Sequence, residues 1–384
     1  MAITVGVLRE TYPGERRVAL VPKSCDALKK LGVEILIEAG AGEAAGYPDA
    51  HYVARGAVLG SRAEVFAQAA VLAQVRTLGA NPEQGRADLP LLRAGQTVIG
   101  FGEPLTAPGE ARAQAELGVS LLAMELIPRI TRAQSMDALS SMATVAGYYA
   151  VLQAALTLPK LFPMLMTAAG TIAPTKVLVL GAGVAGLQAI ATARRLGAVV
   201  SGYDVRAAVK EQVESLGAKF VVLAMETGDA QDPGGYAKAQ GEDFYRRQRE
   251  LLTEVIREQD VLITTAAVPG RRAPILVTRE MASAMAPGSV IVDIAAERGG
   301  NCELTQPGTT VVHNGVSILG PLNLPSQLPR DASLLYAGNV TALLKLLIQD
   351  GQVKLDTSDE IIRESLVTHQ HQIVHPKLQP PAAG

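Results

Sequence analysis

Only two cysteines, Cys25 and Cys302, occur among 384 residues, too far apart in sequence to form a CxxC pair or any other metal-ligand spacing. Their scarcity predicts a reduced, cytoplasmic setting. An excess of either charge is also lacking: 35 Lys and Arg stand against 37 Asp and Glu, a formal net charge of −2. Bulk electrostatics therefore gives no reason to expect nucleic acid or an anionic membrane as a ligand. The stretch MAITVGVLRETYPGERR lacks an apolar core followed by a small-residue cleavage site, so no secretory signal is expected there. Short-period repeats and low-complexity tracts are missing as well. What the chain does have is apolar residues, 48% of the total with 19% charged, over a length beyond what one hydrophobic core usually serves. Two well-buried domains are the expectation.

One stretch has to be weighed as a membrane span. Residues 138–159 (ALSSMATVAGYYAVLQAALTLP) carry no formal charge over 22 positions, long enough to cross a bilayer. Ser140, Ser141, Thr144, Tyr148, Tyr149, Gln153 and Thr157 make it too polar for a lipid-facing helix. Its small residues, Ala143, Ala146, Gly147 and Ala150, suit tight packing inside protein. It reads as a buried helix between domains of a soluble chain.

The first half alternates short apolar runs with amphipathic ones. ITVGVL (3–8), VEILIE (33–38), VLAQV (71–75), TVIGF (97–101) and VSLLAMEL (119–126) read as strands, and 23–31 and 108–117 as helices. Residues 79–88 form a polar loop. The second half repeats the alternation with KVLVLGAGVAG (176–186), AVVSGYD (198–204), KFVVL (219–223), DVLITTA (260–266), SVIVDIA (289–295) and GVSILGP (315–321). This spacing predicts an α/β chain of two Rossmann-like domains with mostly parallel sheets, joined by long interdomain helices. The expected division is 1–137 plus 330–384 for the first domain and 138–329 for the second. A helix over 331–348 crosses back toward the first, and the tail from Asp356, with His369, His371 and His375, is expected to be a solvated, partly ordered terminus. Residues 226–249, rich in Gly, Asp and Pro at their start, are either a functional lid or an exposed insertion.

Gly181-Ala-Gly183-Val-Ala-Gly186 matches GxGxxG, a weak pattern by itself. Here it follows an apolar run, opens a helical one (184–196), and precedes a second run that ends in an acid, Asp204, 18 positions beyond Gly186. Gly181 permits the tight turn, Gly183 the approach of backbone to a pyrophosphate, and Gly186 close helix–sheet contact. The helix start offers N–H groups and positive potential to phosphates. Asp204 accepts ribose hydroxyls and repels a 2′-phosphate, which favours NAD(H) over NADP(H). Arg206 either flanks the adenosine or binds such a phosphate.

Arg129, Arg132, Gln134 and Asp137 are packed into nine residues where the two domains are expected to join. Two readings stand side by side: groups that orient a nicotinamide, or a charged hinge held by a salt bridge.

MELIPRITRAQSMDALSS (124–141), MLMTAAGTIAPTKVLVLGAGVAGLQAIATARRLGA (164–198), YDVR (203–206), GGYAK (234–238), ITTAAVPGRRAPIL (263–276), PGSVIVDIAAERGGNC (287–302) and GPLNLPS (320–326) together resemble the NAD(H)-binding component of proton-translocating NAD(P) transhydrogenase. More distantly the chain is similar to alanine dehydrogenase. The resemblance implies a homodimer at the cytoplasmic face of the inner membrane, held there by a transmembrane component. It implies hydride transfer to NADP(H) on a further component, coupled to proton movement. It implies a nicotinamide-side loop of Arg129, Ile130, Gln134, Asp137 and Ser140, and dinucleotide contacts from Ala182, Gly183, Val184, Asp204, Val205 and Arg206. It further implies a closing loop at Gly235 and Tyr236, with Gln248 and Ala267 nearby. Met142 and Gln240 depart from the residues usual at their positions.

Protons separate the two activities. Oxidising an amino acid needs a group that accepts a proton, and alanine dehydrogenases look to a lysine and a histidine whose places here fall to Arg76 and Glu103. Arginine stays protonated and cannot serve as a base, and Glu103 cannot reproduce an imidazole. Arg17 survives at the substrate-carboxylate position. Transfer between two nicotinamides needs positioning and no proton acceptor, so Arg129, Gln134 and Asp137 are read as orienting groups without a general acid or base. The alternatives are a stand-alone alanine dehydrogenase-like enzyme and a non-catalytic NAD-sensing module.

Overall fold

A computed structural model describes residues 2–223, 242–268 and 270–379, the side chains of 242–245 excepted. The chain divides into two compact units, Met1–Met142 with Pro325–Gly384, and Ala143–Leu324. The division at Met142 falls inside a helix, α1 (Ala138–Thr157).

The first unit holds six parallel strands: β1 (Ile3–Val7), β2 (Val33–Glu38), β3 (Val58–Gly60), β4 (Val71–Arg76), β5 (Thr97–Phe101) and β6 (Ser120–Ala123). They lie in the order β3-β2-β1-β4-β5-β6, the doubly wound arrangement. Val5, Val7, Leu72, Ala73 and Ile99 are fully buried, which is why these strands read as unbroken apolar runs: helices cover both faces. The short edge strand β3, with two of its three residues exposed, had no such signal.

The tail corrects the sequence reading. Leu366–His369 and Gln372–Ile373 form a hairpin that continues the sheet past β6, with Leu366 opposite Leu122. An open edge at β6 would leave a row of unpaired backbone groups. Thr368 meets it directly, accepting the Leu121 amide at 2.9 Å and donating its hydroxyl to the Val119 carbonyl at 2.8 Å. His375 is buried and bonded to the Glu364 carbonyl at 3.1 Å.

The second unit runs β7 (Lys176–Leu180), β8 (Val199–Tyr203), β9 (Lys219–Phe220), β10 (Val261–Thr264), β11 (Val290–Asp293), β12 (Thr310–His313) and β13 (Val316–Leu319). Their order is β9-β8-β7-β10-β11-β13-β12, parallel apart from β12. The chain thus reverses direction across the sheet between β7 and β10, the switch point at which doubly wound sheets take ligands. Val177 and Val179 face one core with Ile190 and Val292, while Leu178 and Leu180 face a second with Leu252 and Ile291.

Among the described residues α1 is the one helix long and apolar enough to cross a membrane. The expectation that it is buried holds for one stripe only. Ala150, Val151 and Ala154 join the core of the second unit, and Gly147 lies so close to the next helix that a Cβ would sit 2.1 Å from the Ala185 carbonyl oxygen. Leu156 is 86% exposed on the opposite side. A short hairpin, Leu165–Thr167 with Gly170–Ile172, likewise leaves Leu165, Met166 and Ile172 in the open.

Candidate functional site

Strand β7 delivers the chain to Gly181, whose φ of +98° lies where side-chain-bearing residues are strained. A Cβ at Gly186 would meet the Gly181 carbonyl oxygen at 1.8 Å, so helix α2 (Val184–Arg195) approaches the strand only because glycine stands there. The Thr265 hydroxyl, just past β10, donates to the same carbonyl at 2.9 Å. At Gly183, by contrast, a Cβ would meet nothing within 4 Å. Two glycines answer to the chain's own packing and the third faces open space at the helix start. That open cradle, at the positive end of α2, fits a pyrophosphate.

Asp204 follows β8 beside this turn. Its Oδ2 accepts the Ala182 amide at 2.8 Å and its Oδ1 the Arg206 amide at 2.9 Å. The Arg206 guanidinium closes on the same carboxylate, Nε to Oδ1 at 2.9 Å and Nη2 to Oδ2 at 2.7 Å. The sequence suggested that Arg206 flanks adenosine or takes up a phosphate; its side chain is here turned onto the acid. Val184 and Ala267 are exposed and Val205 is partly buried. Gln248 is buried and donates to the Tyr203 hydroxyl at 2.8 Å.

Residues that sequence reasoning passed over hold this edge rigid. Asn301 accepts the Ala266 amide at 2.9 Å and donates to the Ala266 carbonyl at 2.8 Å. The Asn301 amide is in turn held by the buried carboxylate of Asp293 at 2.7 Å, which also accepts the Thr264 hydroxyl at 2.9 Å and the Thr305 hydroxyl at 2.6 Å. The available signal was an acid ending an apolar strand, VIVD.

In the first unit, Thr131–Met136 form a 3-10 stretch that ends at Asp137. Asp137 caps α1: its Oδ1 accepts the Ser140 amide at 2.9 Å and its Oδ2 the Ser140 hydroxyl at 2.5 Å. Arg132 makes a two-pronged pair with Asp359, at 2.7 and 2.9 Å, and Asn339 donates to the Ser135 carbonyl at 2.9 Å. Arg132 therefore anchors the loop within its own unit. Arg129 and Gln134 are exposed, and Ile130 and Ser140 are partly buried.

At the carboxyl ends of the first unit's strands lies a buried charge cluster. Arg17 donates Nε to Glu15 at 2.7 Å, Nη2 to Glu15 at 2.6 Å, and Nη1 to the Met142 sulfur at 3.1 Å. Arg76 donates Nε to Glu15 at 3.1 Å and lies 4.2 Å from the Tyr12 ring centre. Burial raises the Glu15 pKa, but the charges and hydrogen bonds of Arg17 and Arg76 outweigh it and leave the carboxyl at about 2. Glu10, taking the Val75 amide at 2.6 Å and the Arg76 amide at 3.1 Å, goes the other way. Burial and the nearby Glu15 charge lift it to about 8. Burial and Glu103 lift Glu125 to about 7, even though it accepts the Gly102 and Glu103 amides. Arg17, Arg76 and Glu103 were singled out in the sequence; Glu10, Glu15 and Glu125 were not. Gly235, Tyr236 and Gln240 lie outside the described residues.

Residues 6–146 match the family description "Alanine dehydrogenase/PNT, N-terminal domain" and residues 150–376 match "Alanine dehydrogenase/PNT, C-terminal domain". The chain is 45% identical over 380 residues to the first of the polypeptides that make up the NAD(P) transhydrogenase alpha subunit of Rhodospirillum rubrum, covering 97% of this chain and 98% of that protein. It is similar to the crystal structure of transhydrogenase from Sinorhizobium meliloti, at 44% identity and a TM-score of 0.86 over 97% of this chain and 100% of the other. An L-alanine dehydrogenase structure shares 26% identity with a TM-score of 0.81, over 98% of each chain.

Proposed function

The chain belongs to the alanine dehydrogenase/PNT family, within its NAD(P) transhydrogenase alpha-subunit group, and from that premise we propose that it binds NAD(H) and exchanges hydride with NADP(H) held by a partner component. Gly181, Ala182, Gly183, Val184 and Gly186 cradle the pyrophosphate, and Asp204, Val205 and Arg206 take the adenosine end. Arg129, Ile130, Gln134, Asp137 and Ser140 orient the nicotinamide, with Gln248 and Ala267 bordering the site and Gly235 and Tyr236 closing over it. Bound NAD(H) supplies the ring that gives or takes the hydride. The chain supplies position and the exclusion of water, with no general acid or base. A transmembrane partner couples the transfer to proton movement and holds the chain at the cytoplasmic face of the inner membrane.

The observation that carries this reading over an amino-acid dehydrogenase is the Glu15–Arg17 pair. Arg17 stands where alanine dehydrogenases hold the substrate carboxylate, and both its Nε and Nη2 are already given to an internal carboxylate whose side chain is 0% exposed. Arg76 pairs with the same Glu15 and cannot take a proton from a substrate amine. A homodimer is favoured by the exposed apolar residues Leu165, Met166 and Ile172 of one hairpin, which a second copy can cover.

The test is titration of the pure chain with NADH and NADPH, followed by a hydride-transfer assay with an NADP(H)-loaded partner. Tight NADH binding, weak NADPH binding and transfer only on mixing are expected. Reduction of NAD by L-alanine with the chain alone would overturn the assignment.

A further inference from the structure

An ionised carboxylate offers about four acceptor positions, and at Asp204 the protein's own donors fill four. Two are backbone amides, Ala182 at 2.8 Å and Arg206 at 2.9 Å, fixed by the glycine turn and by the chain that follows β8. The other two are Nε and Nη2 of Arg206, at 2.9 and 2.7 Å, one on each oxygen. The pair is well shielded, with side chains 6% and 14% exposed, so its charge-assisted bonds are stronger than those of an ordinary surface pair. A ribose diol presents two adjacent O–H donors to a carboxylate in the same bidentate manner. The guanidinium and the diol therefore compete for the same two acceptor positions, whereas the backbone amides do not.

We propose that Arg206 is an internal stand-in for the ribose diol, which must turn aside before Asp204 can hold an adenosine ribose, and that it thereby sets both the affinity for NAD(H) and the margin against NADP(H). The proposal rests on the reading of the glycine turn and Asp204 as a dinucleotide site. Its consequences run in opposite directions for the two nucleotides. For NADH, release of the ion pair opposes binding. For NADPH, a guanidinium released from Asp204 is a cation beside the 2′-phosphate, which offsets part of the acid's repulsion. An acid alone would discriminate more sharply than this acid with its arginine.

The experiment is calorimetric titration of the full-length chain and its Arg206→Ala and Arg206→Gln variants with NADH, ADP-ribose and NADPH. Neither replacement can form the two-pronged pair, and glutamine keeps a polar group in place. Thermal melts show which variants are folded. NADH and ADP-ribose are expected to bind about three- to tenfold more tightly in both variants, the order of one lost charge-assisted hydrogen bond. NADPH is expected to bind no better than to the parent chain, so that the NADH/NADPH ratio widens. Equal or weaker NADH binding in folded variants would overturn the proposal and make Arg206 an ordinary adenosine contact. Absence of NADH binding in the parent chain would instead overturn the dinucleotide reading on which it rests, and the two failures are told apart by that one control.

Discussion

Asp137 caps helix α1 through Ser140, holding both its amide, at 2.9 Å, and its hydroxyl, at 2.5 Å. One carboxylate thus fixes the start of a 20-residue helix and, on the proposed function, orients a nicotinamide. The two roles separate by substitution. Asparagine caps a helix about as well as aspartate, so Asp137→Asn is expected to leave the melting temperature nearly unchanged. It is expected to slow hydride transfer in the reconstituted system far more than it weakens NADH binding. Asp137→Ala removes the cap as well and should cost roughly 1 kcal/mol of stability in addition. Parallel losses of transfer and binding in the asparagine variant would reduce Asp137 to a nucleotide anchor.

The glycine turn allows a similar separation. A Cβ at residue 183 meets nothing in the chain within 4 Å, whereas one at residue 186 would lie 1.8 Å from a backbone carbonyl. Gly183→Ala is therefore expected to keep the fold and the melting temperature while weakening NADH binding at least about tenfold, because the methyl group stands where backbone must approach a pyrophosphate. Gly186→Ala is expected to destabilise the second unit itself, seen as a lowered melting temperature before any ligand is added. An undisturbed NADH affinity in Gly183→Ala would place the phosphates elsewhere.

Much of this was legible in the chain because parallel strands buried on both faces must be continuously apolar. Runs such as VEILIE and TVIGF mark β2 and β5 to the residue. The glycine fingerprint and Asp204 were equally plain, since each residue type has a local physical reason. What escaped detection depends on distant partners. The carboxyl-terminal hairpin looked like loose tail because His369, His371 and His375 sit in a polar stretch. Its order comes from the open edge of β6, which Thr368 bonds twice, reaching the Leu121 amide 247 positions earlier. Glu10 and Glu15 look like ordinary surface acids beside Arg9, Arg16 and Arg17, and only the fold buries them. The Arg206 side chain had two sequence readings, and neither was its hold on Asp204.

Glu10 predicts a pH effect whose sign follows from its environment. Its pKa is raised from an ordinary 4.5 to about 8 by burial and by Glu15, so the fold prefers the protonated form. That contribution to stability is fully present below about pH 4.5 and is lost as pH rises through about 8. Glu10→Gln carries a permanently neutral amide and should flatten the fall of the melting temperature between pH 5 and 8. The substitution has its own cost. The Val75 and Arg76 amides go to different oxygens of Glu10, and a glutamine has only one, so one bond of roughly 1 kcal/mol is forfeited at pH 5. The parent is thus expected to be the more stable at pH 5, with the gap closing toward pH 8. A constant gap across that range would mean that Glu10 does not titrate there.

Glu15 sits between two cations, and this sets an order of severity. Arg17 and Arg76 both pair with it, at 2.6 and 3.1 Å, and its side chain is fully buried. Glu15→Gln leaves two guanidinium groups facing one another without a countercharge. Arg17→Met leaves Glu15 still paired with Arg76. Removing one partner from a buried ion pair costs about 3–5 kcal/mol, and the glutamine variant is expected at or above the top of that range, the methionine variant below it. With the Glu15 carboxyl held at about 2, its contribution is present above pH 4.5 and is lost as pH falls through 2. The acid limb of the stability profile should therefore be shallower in Glu15→Gln than in the parent. Urea unfolding followed from pH 7 down to 3 measures both effects, and equal destabilisation by the two substitutions would show that Arg76 does not depend on Glu15 for its charge balance.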